Sequence, residues 1–295
     1  MTLDAAAMLA CCYFPPADSA VDVAVSGGPD SLGLLLLARA AELQVRVHHV
    51  DHHARATSAD DARFVETVCE SLGVQFLRHD VVVEPGSNFE ARARTARRRA
   101  MPVTVMTGHT MDDLAETVLL NMLRGAGLDG LSPMVGDATK PLREVRRSAL
   151  HAYVASSPWL ARSDETNESP LFRRNRVRHE LMPVLHDVAG RDVVPLLARQ
   201  AKLAHEERAW LDQLSAGDSV ALTDADCREL RAWPAARLRR WLRSQLRRVS
   251  DGDDTYPPSA REVERAAAVV RGEVVATELG GGRRLTRRSQ RLTLE

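Results

Sequence analysis

Short β-branched and apolar runs at 22–26, 45–51, 75–81 and 103–107 alternate with stretches at 30–42, 58–72, 88–99 and 111–124 whose apolar positions recur at helical spacing. The runs predict strands and the spaced patterns predict amphipathic helices. Regular strand–helix alternation predicts a parallel, doubly wound α/β sheet, Rossmann-like in its winding, which binds ligands in the crevice at the carboxyl ends of its strands. A loop rich in Gly, Pro and Asp at 125–140 and a second at 156–170 lead into a basic helix near 171–186. The pattern then stays helical to 248. A helix near 259–271 and strands at 273–279 and 284–294, joined by Gly280-Gly281-Gly282, follow. The expected division is an α/β domain over 1–160 and a mainly helical domain over 161–295 ending in a small β-hairpin.

A chain of 295 residues, 44% hydrophobic and 27% charged, is long enough for two domains and ordinary for a globular protein. No apolar run approaches the ~20 residues of a membrane span. The apolar opening at 5–14 lacks the basic start of a secretory leader, because no Lys or Arg precedes Arg39, so a short helix is expected there. Cys11, Cys12, Cys69 and Cys227 have no CxxC spacing and fit a reducing cytoplasm.

Net charge is zero, but residues 1–150 carry 15 basic and 19 acidic side chains while 151–295 carry 25 and 21. Arg173, Arg174, Arg176 and Arg178 fall within six residues, and 228–248 holds eight arginines against Glu229 alone. A basic second half predicts a polyanionic partner.

The sharpest local signal is Ser26-Gly27-Gly28-Pro29-Asp30-Ser31, where the first strand turns into the first long helix. Two glycines let backbone amides crowd against an anion, and the helix adds its N-terminal N–H groups and positive dipole end. The loop has no lysine, so it is not a Walker A loop. A carboxylate inside a phosphate loop requires a cation between them, so Asp30 implies Mg²⁺. Asp51 ends the second strand on the ligand edge. His49 and His52 flank it without the Cys or spaced carboxylate partner of a zinc site. Gly108 and His109 open the next strand-to-helix turn. Asp113 and Glu116 lie three apart on one helix face, so their side chains can converge on a cation.

The loop resembles that of the N-type ATP pyrophosphatases, the PP-loop superfamily, which cleave ATP between its α and β phosphates. Three further blocks narrow the resemblance: 48–53 (HHVDHH), 107–131 (from Thr107-Gly108-His109 to Gly130-Leu131), and 164–183 (Asp164-Glu165-Thr166-Asn167, then Phe172 to Pro183). With 88–97 (Asn88-Phe89-Glu90-Ala91, Arg94, Arg97), these are similar in order to the tRNA(Ile)-lysidine synthetases of the shorter type, densely over about 22–186. The resemblance implies an adenine-nucleotide-alpha-hydrolase-like fold and a cytoplasmic ligase, possessing ATP and Mg²⁺ as cofactors. That enzyme adenylates the wobble cytidine of CAU-anticodon tRNA(Ile) at its C2 carbonyl oxygen, releases pyrophosphate, and lets the ε-amine of free L-lysine displace AMP.

Carried onto this sequence, the resemblance implies Asp30, Asp113 and Glu116 as catalytic residues, and Ser26, Gly27, Gly28, Pro29, Asp30, Ser31, Asp51, Gly108 and His109 around ATP. It implies Asp113, Glu116, Arg94 and Arg97 around lysine, Arg173, Arg174, Asn175, Arg176 and Arg178 on tRNA, and Asp30 on Mg²⁺. It leaves a homodimer open. Arg98 stands where the family has an aromatic residue, and the segments near 99–107, 136–143 and 156–164 are short for it. The alternatives are another tRNA-modifying PP-loop enzyme such as a thiolase, which needs catalytic cysteines, and a non-catalytic RNA-binding relative.

Overall fold

The computed structural model describes residues 5–51, 58–81, 89–162, 172–215, 221–249, 255–256 and 258–295. After the short helix α1 (Ala5–Leu9), strands β1 (Ala20–Ala24), β2 (Gln44–Asp51) and β3 (Gln75–Asp80) alternate with helices α2 (Pro29–Ala40) and α3 (Ser58–Leu72). The strands pair in parallel, in the order β1-β2-β3, with Ala24 opposite His48 and Asp51 opposite Asp80. Helix α4 (Phe89–Ala100) carries the chain back from β3 to the far side of β1.

The strand expected at 103–107 shrinks to a single parallel bridge between Met106 and Val23. Met106 donates to Asp22 O and accepts from Ala24 N, as a strand residue would, but Val105 N closes a turn on Pro102 O. Thr107 N then leaves the sheet for Thr139 O. Val103 is 91% exposed, so no buried face holds the segment against the sheet.

Helix α5 (Met111–Leu123) starts on a capping box: Thr110 Oγ1 accepts from Asp113 N, and the Asp113 carboxylate accepts from Thr110 N. After α6 (Leu128–Leu131), helix α7 (Arg147–Ala155) packs on α2. Their approach requires Gly33, because a Cβ there would lie 2.5 Å from Leu150 Cδ1 and 2.7 Å from its Cγ. Leu34, Leu35, Leu37, Val23, Val47 and Leu150 are fully buried in the resulting core.

The basic helix expected at 171–186 is three consecutive pieces: α8 (Arg173–Arg176), a π-helical turn at Val177–Leu181, and α9 (Met182–Ala189). Pro183 has no N–H for the carbonyl four residues back, which accounts for the widened turn before it. Gly190 closes α9 with a left-handed φ of 63°. Helix α10 (Val194–Ser215) follows.

The chain divides into two compact units, Met1–His205 and Glu206–Glu295, where the sequence pattern placed the boundary at 160/161. The later break has a packing cause. Val177, Met182, Val193 and Val194 share one cluster with Ala115 and Leu119 of α5, and Ala201 shares another with Leu114 and Val118.

The second unit adds α11 (Cys227–Arg231), α12 (Ala235–Gln245), the two-residue strands β4 (Arg248–Val249) and β5 (Thr255–Tyr256), α13 (Ala260–Arg271), and an antiparallel sheet β6 (Ala276–Glu278), β7 (Arg284–Arg288) and β8 (Arg291–Leu294). Its core holds Leu242, Leu246, Trp241, Val270, Leu285 and Leu292. The run expected as one strand at 284–294 is two, because Ser289 and Gln290 adopt φ of 47° and 66° and fold it into a tight hairpin. Among the described residues no helix is long and apolar enough to cross a membrane.

Because Leu150 is fully buried and cannot yield freely, Gly33→Ala should lower stability by about 1–2 kcal/mol despite alanine's better helix propensity. Urea denaturation measures this, and an unchanged or raised midpoint would show that α7 is not seated through this contact.

Candidate functional site

The loop from β1 to α2 is built as an anion cradle. Gly27 takes φ of 90°, reserved in practice for glycine, and Gly28 with Pro29 starts the helix without a capping side chain. Ser31 Oγ accepts from Ser26 N at 3.1 Å and donates to Gly28 O at 3.0 Å, fixing the turn. His49 supports it from β2, where its Nδ1 lies 2.8 Å from Val25 O. The resemblance places Gly108 beside ATP. Its space is instead filled by the protein, since a Cβ there would lie 2.7 Å from the Asp30 carbonyl carbon and closer still to the oxygen. The 107–110 turn is thus pressed against the first turn of α2. His109 Nδ1 lies 2.7 Å from Thr107 Oγ1.

Asp113 and Glu116 are buried, at 7% and 2% exposed, at the head of α5. Asp113 Oδ2 accepts from Thr110 N and Oγ1, both at 2.8 Å. Asp113 Oδ1 accepts from Arg147 Nη2 at 2.9 Å and Arg174 Nη2 at 2.8 Å. Glu116 Oε1 takes Arg147 Nη1 at 2.9 Å and Arg178 Nε at 2.8 Å, while Oε2 takes Arg174 Nε at 3.0 Å and Arg178 Nη2 at 3.1 Å. All four carboxylate oxygens are therefore occupied. Burial alone would push both acids up, but Arg147 and Arg174 hold Asp113 well below the usual carboxylate range. Arg178 and Arg147 hold Glu116 down against burial and the neighbouring Asp113. Burial opposes the charge on Arg147, and Asp113 and Glu116 raise its pKa in return.

Helix α7 links this pair to the loop. Its residue His151 places Nε2 2.8 Å from Asp30 Oδ1, and Arg147 Nε lies 3.9 Å from Asp30 Oδ2. Asp112 turns away from the site: its carboxylate accepts from Arg147 N at 2.8 Å, capping α7, and from Arg146 Nε and Nη2 at 3.2 Å.

The structure brings Asp30, Asp113 and Glu116 into one network and adds Arg147 and His151, which sequence reasoning missed. A signal existed: Arg146 and Arg147 open a helix where its dipole disfavours cations, so they must serve a carboxylate elsewhere. Arg174 and Arg178, expected on tRNA, turn inward to the acidic pair, and Asn175 is buried. Arg173 is exposed; Arg176 is exposed and pairs with Glu180. Asp51 is buried and bonded to Arg78 Nη2 at 2.9 Å in an ion pair across the sheet. Arg97 is exposed on α4, while the side chain of Arg94 and residues Asn88, His52, His53 and 164–167 lie outside the described residues. No group of three or more His, Cys, Asp or Glu able to hold a metal occurs among the described residues.

Residues 1–185 match the PP-loop domain family. The tRNA(Ile)-lysidine synthase of Thermobifida fusca is 37% identical over 251 residues, covering 77% of this chain and 76% of the relative. Those of Solibacter usitatus and Gloeobacter violaceus are 37% and 38% identical, over 79% and 68% of this chain and 57% and 67% of the relatives. The solved U34-tRNA thiolase NcsA from Methanococcus maripaludis, with its [4Fe-4S] cluster, matches 64% of this chain and 73% of its own at a TM-score of 0.50 and 16% identity, a likeness of fold.

The ordinary values of Asp113 and Glu116 are 3.8 and 4.5, and both are lowered in the fold. Their stabilisation is therefore complete above about pH 4.5 and lost as pH falls through the folded values. Glu116→Gln should cost about 1–3 kcal/mol at pH 7 and flatten this acid limb in chemical denaturation. Identical acid limbs in the two proteins would mean that the charge of the pair does not stabilise the fold.

Proposed function

From a chain that belongs to the PP-loop family and, within it, to the tRNA(Ile)-lysidine synthases, we propose an enzyme that joins free L-lysine to the wobble cytidine of a CAU-anticodon tRNA(Ile) at the expense of ATP. The observation that carries this reading is the joining of the anion loop to a buried acidic pair through α7. A loop alone needs only an ATP. A buried Asp–Glu pair beside it is built to hold cationic groups, here the guanidiniums of Arg147, Arg174 and Arg178, and a lysine ammonium is a cation of the same kind.

In the proposed reaction the cytidine C2 carbonyl oxygen attacks the α phosphorus of ATP, and pyrophosphate leaves into the cradle of Gly27, Gly28 and the α2 N-terminus. The ε-amine of lysine, having lost its proton, then attacks C2. AMP departs with the former carbonyl oxygen, and a C–N bond replaces the C–O bond. Asp113 and Glu116 receive the ammonium, and Ser26, Ser31, Gly108 and His109 border the nucleotide. Arg94 and Arg97 are proposed for the lysine carboxylate, and the exposed Arg173 and Arg176 for tRNA phosphates. Asp30 supplies one carboxylate beside the loop, which suits a Mg²⁺ that arrives on ATP and keeps mostly phosphate and water ligands. Such an ion would neutralise phosphate charge.

The thiolase reading finds no support in three of the four thiols; the fourth, Cys11, is exposed ahead of β1. Burial pushes Cys12 and Cys69 up to about 12, so neither is a thiolate near neutrality, and Cys227 is buried in the second unit and also raised.

Single-turnover kinetics with labelled ATP, following adenylated tRNA and lysidine-tRNA separately, test the proposal. Wild type should form both in sequence. Glu116→Gln should still adenylate tRNA but need at least tenfold more lysine, so adenylated tRNA accumulates. Equal slowing of both steps with an unmoved lysine dependence would overturn the role of the pair. Gly108→Ala should slow adenylation at least tenfold, because the added carbon displaces the Asp30 backbone; unchanged adenylation would show that the loop tolerates the displacement.

A further inference from the structure

A lysine ammonium cannot enter the site as the structure presents it. Every oxygen of Asp113 and Glu116 already accepts from Thr110 or from Arg147, Arg174 and Arg178. Two carboxylates facing three guanidiniums repel a further cation rather than attract one. If the pair takes the amine, as proposed above, the guanidiniums must first be drawn elsewhere, and only anions can draw them.

The three arginines stand where the two polyanionic substrates would arrive. Arg147 is the first residue of α7, and its Nε is buried without a hydrogen-bond partner, 3.9 Å from Asp30 in the first turn of α2. An unsatisfied buried N–H beside an anion-binding helix start is a donor awaiting an acceptor. Arg174 and Arg178 lie beside the exposed Arg173 and Arg176, on a stretch interrupted by the π-helical turn, and their side chains are 31% and 27% exposed. They can turn outward.

We infer that Arg147 is a positioning residue that keeps the amine site closed until nucleotide phosphates draw its guanidinium toward the loop, while Arg174 and Arg178 close the same site until tRNA phosphates draw them out. Lysine is then admitted only to a protein already holding both other substrates. The device also prepares the chemistry. Freed of guanidiniums, two buried carboxylates three residues apart raise each other's proton affinity, which equips one of them to take the proton that the attacking amine must lose. With the arginines in place they are poor bases.

Calorimetric titration of L-lysine into the full chain tests this. The arms are the protein alone, with α,β-methylene-ATP, with an unmodified CAU-anticodon tRNA transcript, and with both. Wild type should bind lysine at least tenfold more tightly with both ligands than alone. Arg147→Met should bind lysine more tightly alone and lose the nucleotide's share of that enhancement, keeping the tRNA's share. Arg174→Gln/Arg178→Gln should show the converse, and it serves as the second variant should Arg147→Met not fold. Arg147→Lys, which keeps the charge, should restore part of the nucleotide dependence; a purely structural role would not produce this pattern. Lysine binding that is equally tight in every arm, or absent from every arm, overturns the inference. Glu116→Gln separates the two readings: unaltered lysine binding in that variant removes the pair as the amine site, whereas lost binding with no ligand dependence in wild type removes only the closure.

Discussion

Two carboxylates buried at the head of α5 are the constraint around which the first unit is arranged. An ionised Asp–Glu pair in the interior is costly in proportion to the water it loses, and a single partner could not satisfy four oxygens. The protein supplies Thr110 from the capping box of the same helix, Arg147 from α7, and Arg174 and Arg178 from α8 and the π-helical turn. Each donor needs its own support. Asp112 caps α7 at Arg147, Gly33 admits α7 to α2, and Val177 and Met182 seat the arginine-bearing segment on α5.

The same arrangement ties the acidic pair to the anion loop. Gly108 brings the start of α5 against the Asp30 backbone, and His151 and Arg147 reach Asp30 from α7. The anion loop and the acidic pair are therefore linked through one guanidinium, that of Arg147, which bonds Glu116 and lies 3.9 Å from Asp30. This is the physical basis for reading the pair as the seat of a second substrate rather than as a structural ion pair.

The features legible in the sequence are those decided locally. Apolar runs predict the three parallel strands to within two residues at each end. The Gly27-Gly28 turn declared itself because a strand entering a helix through two glycines has few other uses. Asp113 and Glu116 stand out by their spacing on one helix turn. What escaped was decided by distant parts of the chain. Arg147 and His151 have no motif; they matter because α7 folds back on α2. Arg174 and Arg178 look like any exposed basic run until α8 is placed beside α5. Asp51 looks like a ligand at a strand end until Arg78 appears across the sheet. The run at 103–107 is β-branched enough for a strand but has no apolar partner for Val103, and composition does not report partners.

Arg147 and Glu116 act as one unit. A double-mutant cycle for unfolding, with Arg147→Met, Glu116→Gln and the combined variant in the absence of ligands, measures this directly. The combined variant should be less destabilised than the two single changes together by more than about 1 kcal/mol, because removing Arg147 leaves Glu116 short of one buried partner and the reverse holds as well. Effects that add to within about 0.5 kcal/mol would contradict it.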